Sequence, residues 1–212
     1  MLFKTHFTFS FLLLTGLFFT SITFAESGED KEQRDLKEAS GIEVGTEAPL
    51  FSAIDQAVES FHLEEALEDG PVVMMFYRGE WCPVCSEHLR GVQDSLDLIT
   101  EKGVEVVAVS PEVPERSRKM AKEADISFSL LHDEDYEIAK AYDVIFRPGY
   151  FSRLAYNWML GADLEGSHTR DSEALPVPAT YIINQEGVIS WRHFDHDHDE
   201  RAAVKTILEN LP

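Results

Sequence analysis

The order of segments along the chain predicts an α/β domain: a central sheet of mixed direction with helices on both faces. Three observations carry this. Residues 72–77 and 104–109 are short, almost unbroken apolar runs, the pattern of strands buried on both faces. Between them Cys85, Leu89, Val92, Leu96 and Ile99 recur at spacings of four and three, which puts all five on one face of a helix. Near the C-terminus, residues 179–184 and 188–194 flank the turn Gln185-Glu186-Gly187 and read as a β-hairpin, followed by an amphipathic helix over 201–211. Strand, helix, strand, crossover, hairpin and helix in that order give a sheet that is partly parallel and partly antiparallel.

The elements follow in chain order. Residues 1–25 carry Lys4, an apolar run over 7–19 and then Thr23-Phe24-Ala25, the pattern of a secretory signal peptide cleaved near Ala25. The run is short and interrupted for a membrane span, which needs about 20 apolar residues. Residues 26–44 are charged and are expected to form an acidic flexible linker. The domain then occupies 45–212. Residues 50–54 suggest a short strand, 61–67 a short helix, and Asp69-Gly70-Pro71 a turn into the central strand. The helix that starts at Pro83 is expected to run to Gly103, a suitable C′ residue. Pro111 stops the strand over 104–109. Residues 114–124 suggest a helix whose Arg116, Arg118, Lys119 and Lys122 form a solvated basic face. A third strand is expected over 127–131 and a helix over 134–142. Residues 144–177 are an insertion rich in aromatics, with a helix at 154–160. Such a segment can line a cleft or a dimer face, and packing against the core is the expectation here.

Composition bounds the function. The net charge is −21 at pH 7, and loss of residues 1–25 makes it one unit more negative. That acidity argues against nucleic acid and anionic membranes as partners. The chain has two cysteines, Cys82 and Cys85. In an exported protein they meet oxidants, and one Cys-x-x-Cys pair fits redox chemistry better than a disulfide framework. The leader places the mature protein outside the cytoplasm, in the periplasm of a bacterium.

The pair sits where the strand over 72–77 gives way to the helix. Pro83 suits the first helical position, because its missing N–H costs nothing there. Cys82 is then the N-cap, and its sulfur is in reach of the free N–H groups of Val84 and Cys85. Cysteines in that setting fall from a pKa of about 8.5 to roughly 3.5–7.5. Cys85, one turn in, is close enough to close a disulfide, so one sulfur attacks and the other resolves. The bland readings are weaker. Half a zinc site lacks a second cysteine pair, and a disulfide across so short a loop constrains the unfolded chain little.

Three stretches, FYRGEWCPVC (76–85), VEVVAVSPE (104–112) and LPVPATYIINQEGVISWRHF (175–194), resemble the alkyl hydroperoxide reductase/thiol-specific antioxidant family in its peroxiredoxin-like branch, within the thioredoxin-fold superfamily. The resemblance spans roughly 45–211. It implies a thioredoxin-like fold and an antioxidant oxidoreductase that cycles Cys82–Cys85 between dithiol and disulfide. Its oxidant would be a hydroperoxide or a protein disulfide, its reductant an external thiol, and it would need no cofactor or metal beyond the redox-active disulfide. A homodimer is within the family's range. Pro178 falls at the position of the cis-proline that faces the dithiol, with Val177 before it as a backbone partner for an extended substrate. Pro83, Trp81 and Arg78 shape the site. Laid on the peroxiredoxin motif, Cys85 takes the peroxidatic position, Cys82 stands where Thr or Ser is usual, and Arg78 where Pro is usual. Helix-cap physics favours Cys82 as the nucleophile, and we take it so. The late arginine of peroxiredoxins has no match here, and neither does the buried acid that thioredoxins keep under the dithiol. Glu80 reads as surface charge. Two alternatives stay open: a thioredoxin-like disulfide reductase without peroxidase activity, and a copper-handling redox chaperone. The second draws on His193, His196 and His198, which alternate with Asp195, Asp197 and Asp199. A solvated loop is the plainer reading of that run, and partial burial against the helix competes with a site contact for His88.

Overall fold

The computed structural model describes residues 31–169 and 172–212. The expected signal peptide, and residues 26–30 of the expected linker, lie outside them. From Lys31 onward the chain is tied to the domain instead of trailing as a linker. Asp143 organises this, accepting from Ser40 Oγ at 2.6 Å, Arg34 Nη1 at 2.8 Å and Lys31 Nζ at 3.2 Å. Burial opposes its charge, but the Ser40 and Arg34 bonds prevail and hold its carboxyl down at about 2. Lys31, Glu32, Arg34 and Glu43, whose charges suggest a solvated linker, are spent on partners in the domain.

The elements then run β1 (Ser52–Ile54), β2 (Ser60–His62), α1 (Leu63–Asp69), β3 (Val72–Phe76), α2 (Pro83–Gln93), α3 (Leu96–Thr100), β4 (Glu105–Ser110), α4 (Pro114–Ala124) and β5 (Ser129–His132). A 3-10 turn (Glu134–Tyr136) leads into α5 (Glu137–Ala141), β6 (Ile145–Phe146), α6 (Tyr150–Met159), α7 (Leu164–Ser167), β7 (Leu175–Pro176), β8 (Ala179–Ile183), β9 (Ile189–Phe194) and α8 (Val204–Asn210). Seven strands form one sheet in the order β2-β1-β5-β4-β3-β8-β9. β3, β4 and β5 are parallel neighbours; the other pairings in the sheet are antiparallel. The expected mixed sheet is therefore present, with β4 at its middle and β3 beside it.

β3 shows why both faces carry helices. Its residues are all buried, and alternate side chains leave opposite faces. Val73 and Met75 join the core made with Cys85, Leu89, Val92 and Ile207. Val72, Met74 and Phe76 join the core made with Leu63, Leu67, Ile138 and Tyr142. So α2, α3, α4 and α8 cover one face and α1 and α5 the other.

Three expectations are corrected. Residues 60–62 pair with β1 as a strand before α1 begins, so the helix starts two residues later than its apolar pattern suggests. The long helix after Pro83 breaks at Asp94-Ser95, residues whose side chains compete for backbone bonds, and resumes as α3. The insertion packs against the core as expected through Val144, Ile145, Phe146, Leu164 and Leu175, but its helix α6 leaves most of its aromatics outside. None of the α6 residues is buried, and Phe151 and Trp158 are 82% and 84% exposed. Tyr156 is the α6 aromatic that packs against the core.

Candidate active site

Tyr77 continues β3 by donating its N–H to Val109 O, and the chain then leaves the sheet through Arg78, Gly79, Glu80 and Trp81. Cys82 is extended at φ −93°, ψ 105° and caps α2, with Pro83 in the first turn. Its Sγ accepts from Cys85 N at 3.3 Å, and no such bond runs from Val84 N. Cys82 and Cys85 are joined as a disulfide, and both are buried.

Each sulfur has its own guanidinium. Arg78, only 4% exposed, donates from Nη2 to Cys82 Sγ at 3.3 Å and from Nη1 to Tyr156 Oη at 3.3 Å. It lies 5.3 Å from the centroids of both Trp81 and Tyr156, whose rings are 5.2 Å apart. Such cation–π contacts favour a cation that has lost water. Arg201, just ahead of α8, donates from Nη2 toward Cys85 Sγ at 3.7 Å. Neither arginine has a carboxylate within ion-pair distance among the described residues. Burial lowers the pKa of both, Arg201 to about 10 with help from nearby Arg78, so both stay charged at neutral pH. The expectation placed Arg78 at the site. It did not place Arg201 at the site, although Arg201 follows the third stretch that carries the resemblance; it arrives from 116 positions along the chain.

The loop between β3 and α2 is clamped from beneath. Glu80, expected as surface charge, has a side chain only 7% exposed and takes ion pairs from Arg116 Nη1 and Lys119 Nζ, both at 3.0 Å. The basic face of α4 is therefore not merely solvated. Glu80 N donates to Glu112 Oε2 at 2.7 Å. Glu112 is a fully buried acid that the sequence reading missed, although it ends one of the stretches that carry the resemblance. Burial raises its pKa to about 8. A Cβ on Gly79 would collide with Trp81 Nε1 and with Glu112 Oε1, so this position needs glycine. Both of those atoms are buried without a hydrogen-bond partner.

The remaining expected residues divide. Trp81 is buried over the arginine. There is no cis peptide among the described residues, so the expected cis bond before Pro178 is trans, the form X–Pro prefers where nothing overrides it. The Val177 N–H donates to Val144 O at 2.6 Å, so it is not free to pair with a substrate. Pro178 nonetheless lines a cavity with Arg78, Tyr156, His196 and His198. His88 is held by Ala202 O at 3.0 Å, and burial lowers its pKa to about 4. His196 Nε2 bonds Ala39 O at 2.8 Å, and His198 faces Asp199 at 3.4 Å. Among the described residues no three His, Cys, Asp or Glu side chains form a metal-holding group. A cavity of about 690 Å³ is lined by residues of β1, β2 and α5 and includes none of the dithiol residues.

A sequence model of the AhpC/TSA family matches residues 44–192, most of the chain and all of the loop just described. The chain belongs to the AhpC/TSA family. Among curated AhpC/TSA relatives, the peroxiredoxin Bcp of Escherichia coli is 30% identical over 103 residues, covering 49% of this chain and 65% of Bcp. The chloroplastic peroxiredoxin Q of Populus jackii is 28% identical over 163 residues, covering 77% of this chain and 65% of that protein. The matches thus span just under two thirds of these relatives' length. The fold is shared with peroxidoxin BcpB of Mycobacterium tuberculosis, at a TM-score of 0.63 and 19% identity over 80% of this chain and 96% of that one. It is shared also with a peroxiredoxin-like protein of Aquifex aeolicus, at a TM-score of 0.62 and 17% identity over 81% and 87%. This is the thioredoxin-like fold that the resemblance implies.

Proposed function

We propose that this AhpC/TSA protein is a thiol-dependent peroxidase in which Cys82 attacks the hydroperoxide and Cys85 resolves. One observation carries the proposal: the buried Arg78 guanidinium, with no carboxylate at ion-pair distance among the described residues, donates to Cys82 Sγ at 3.3 Å. A cation so close, with the Cys85 N–H beside it, favours thiolate over thiol. Cys85 has the longer contact, 3.7 Å to Arg201, and suits the second role.

In the reduced protein the Cys82 thiolate attacks one peroxide oxygen. The O–O bond breaks, the sulfur keeps that oxygen as sulfenic acid, and the other oxygen takes a proton and leaves as alcohol or water. The Cys85 sulfur then attacks the sulfenic sulfur. The S–S bond forms, the S–O bond breaks, and hydroxide leaves as water with the Cys85 proton. Two thiols and a hydroperoxide become a disulfide, an alcohol and water. An external thiol returns the two electrons by exchange, so the disulfide is itself the redox centre.

The test is stopped-flow fluorescence of the reduced protein mixed with hydrogen peroxide or tert-butyl hydroperoxide. Trp81, packed on Arg78, reports the change. Expected is a fast phase whose rate rises linearly with peroxide and which Cys82→Ser abolishes. Slow oxidation by both peroxides, beside fast exchange with a protein disulfide, overturns the peroxidase reading in favour of a disulfide reductase. The leader over 1–25 supports export, which cell fractionation and N-terminal sequencing of the mature protein check. A homodimer also belongs to this reading, and sedimentation velocity tests it.

A further inference from the structure

Beside the dithiol, on the other side of Arg78, lies a cavity of about 180 Å³. Four of its lining side chains are basic: Arg78, Arg147, His196 and His198. Gly149 and Ser152, at the start of α6, line it as well. No side chain caps that ten-residue helix, and its first turn holds no acid. Its free amides and positive dipole end therefore add to the same field. The one acid among the described lining residues, Asp35, is exposed. In a chain of net charge −21, this is a local reversal of sign.

Each of the two lining arginines also keeps one buried donor without a partner. Arg78 Nε and Arg147 Nε have no hydrogen-bond partner, and Arg78 as a whole is 96% buried, being 4% exposed. Arg147 already spends charge on Glu173 at 3.5 Å and bonds Gln33 at 2.6 Å. Arg78 has no carboxylate at ion-pair distance among the described residues, and Asp199 acts on it only from farther off. The net unanswered charge is thus at most one, which suits a monoanion better than a dianion. The other walls, Leu36, Phe146, Pro148 and Pro178, are apolar. At about 30 Å³ per water-sized group, the space holds roughly six non-hydrogen atoms.

We propose that this cavity binds a small carboxylate, and that the carboxylate is the handle of the substrate, a short-chain hydroperoxide carrying an acid group. The second half rests on the peroxidase reading; the first does not. Arg78 joins the two halves. Its Nη2 faces Cys82 Sγ while the same side chain lines the cavity, so one guanidinium separates a bound carboxylate from the sulfur. A chain of a few carbons covers that width. The planar fork of arginine matches a carboxylate, and the apolar walls take the short chain.

The test has two arms. Sodium butyrate and its uncharged analogue butyramide are titrated into the oxidised full-length protein by calorimetry. Saturable one-to-one binding of butyrate is expected, at least tenfold tighter than butyramide. Arg147→Met should weaken it at least tenfold. Ser152→Asp should do the same by placing like charge at the cavity, and an acid in the first turn of α6 does not threaten the helix. In the second arm, kcat/KM is measured for a carboxylate-bearing hydroperoxide and for its methyl ester. The acid should lead by at least tenfold in the unaltered protein, and the ratio should fall toward one in Ser152→Asp. Equal binding of butyramide, or no saturable binding, overturns the site. Selective butyrate binding with a kinetic ratio near one overturns the substrate role. A protein that turns over neither hydroperoxide removes the peroxidase reading and the substrate half with it, while selective butyrate binding would still establish the carboxylate site.

Discussion

Arg78 is a buried charge with no carboxylate at ion-pair distance among the described residues, so it favours whichever negative charge forms beside it. Hydrogen bonds to charged groups contribute about 1.5–3 kcal/mol. Arg78→Met should therefore slow hydroperoxide reduction by roughly 10- to 100-fold in stopped-flow traces. Arg78→Lys should recover little of it, because an ammonium cannot both pack on the Trp81–Tyr156 ring pair and reach two acceptors. Glu112 gives a second residue-scale prediction, with a definite sign. Burial raises its pKa to about 8 from 4.5. Between those values the folded protein holds a proton that the unfolded chain has released. Stability from this group is therefore full below about 4.5 and is lost as pH rises toward 8, by an amount on the order of 3–5 kcal/mol. Glu112→Gln stays neutral throughout. Urea titrations of the two proteins should diverge with rising pH, the Gln variant being the more stable at pH 8. Asp133, raised to about 7 by burial, adds slope of the same sign to both and does not cancel the difference.

At the scale of elements, α6 divides its aromatics sharply. Tyr156 packs on Trp81 and bonds Arg78, whereas Trp158 is 84% exposed. Tyr156→Ala should cost about 2–3 kcal/mol of stability, and Trp158→Ala less than about 0.5 kcal/mol, both read from denaturant melts. Equal losses would mean that the two faces of α6 are wrongly assigned. The same helix shows where sequence reading stops. Its aromatic richness is visible in the sequence, but which ring turns inward depends on what lies opposite. The central strands, the helix after Pro83 and the late hairpin were legible because burial writes a period into the sequence. Three-residue β2 is too short to write one, and the break at Asp94-Ser95 interrupts no apolar position. Of the site, Cys82, Cys85, Trp81 and Arg78 were legible because one local segment carries them all. Arg201, Tyr156 and Glu112 reach it through tertiary packing, for which no local spacing is diagnostic.

At the scale of the whole molecule, the two arginines couple the redox state of the dithiol to the stability of the fold. Both face sulfur, and neither has a carboxylate partner among the described residues. In the disulfide form buried Arg78 and half-buried Arg201 stand beside neutral sulfur, and after reduction one of them faces a thiolate. The folded state therefore stabilises the reduced form relative to the unfolded chain, where no such pairing exists. An opposite charge at this distance shifts an acid by roughly 1–3 pKa units, about 1.4–4 kcal/mol. On the redox scale that is roughly 30–90 mV toward a more oxidising disulfide. The disulfide offers little in return, because a loop this short removes little entropy from the unfolded chain. The reduced protein should thus melt above the oxidised one. The gap follows the thiolate: a depressed folded-state acid contributes fully above its unfolded value of about 8.5 and less as pH falls toward its folded value. Calorimetric melts of both forms at pH 8.5 and pH 5 test this, with the larger gap expected at pH 8.5. In Arg78→Met the gap at pH 8.5 should shrink. An oxidised form that melts higher at both pH values, with the Arg78→Met gap unchanged, would show that the guanidiniums do not set the redox balance of this dithiol.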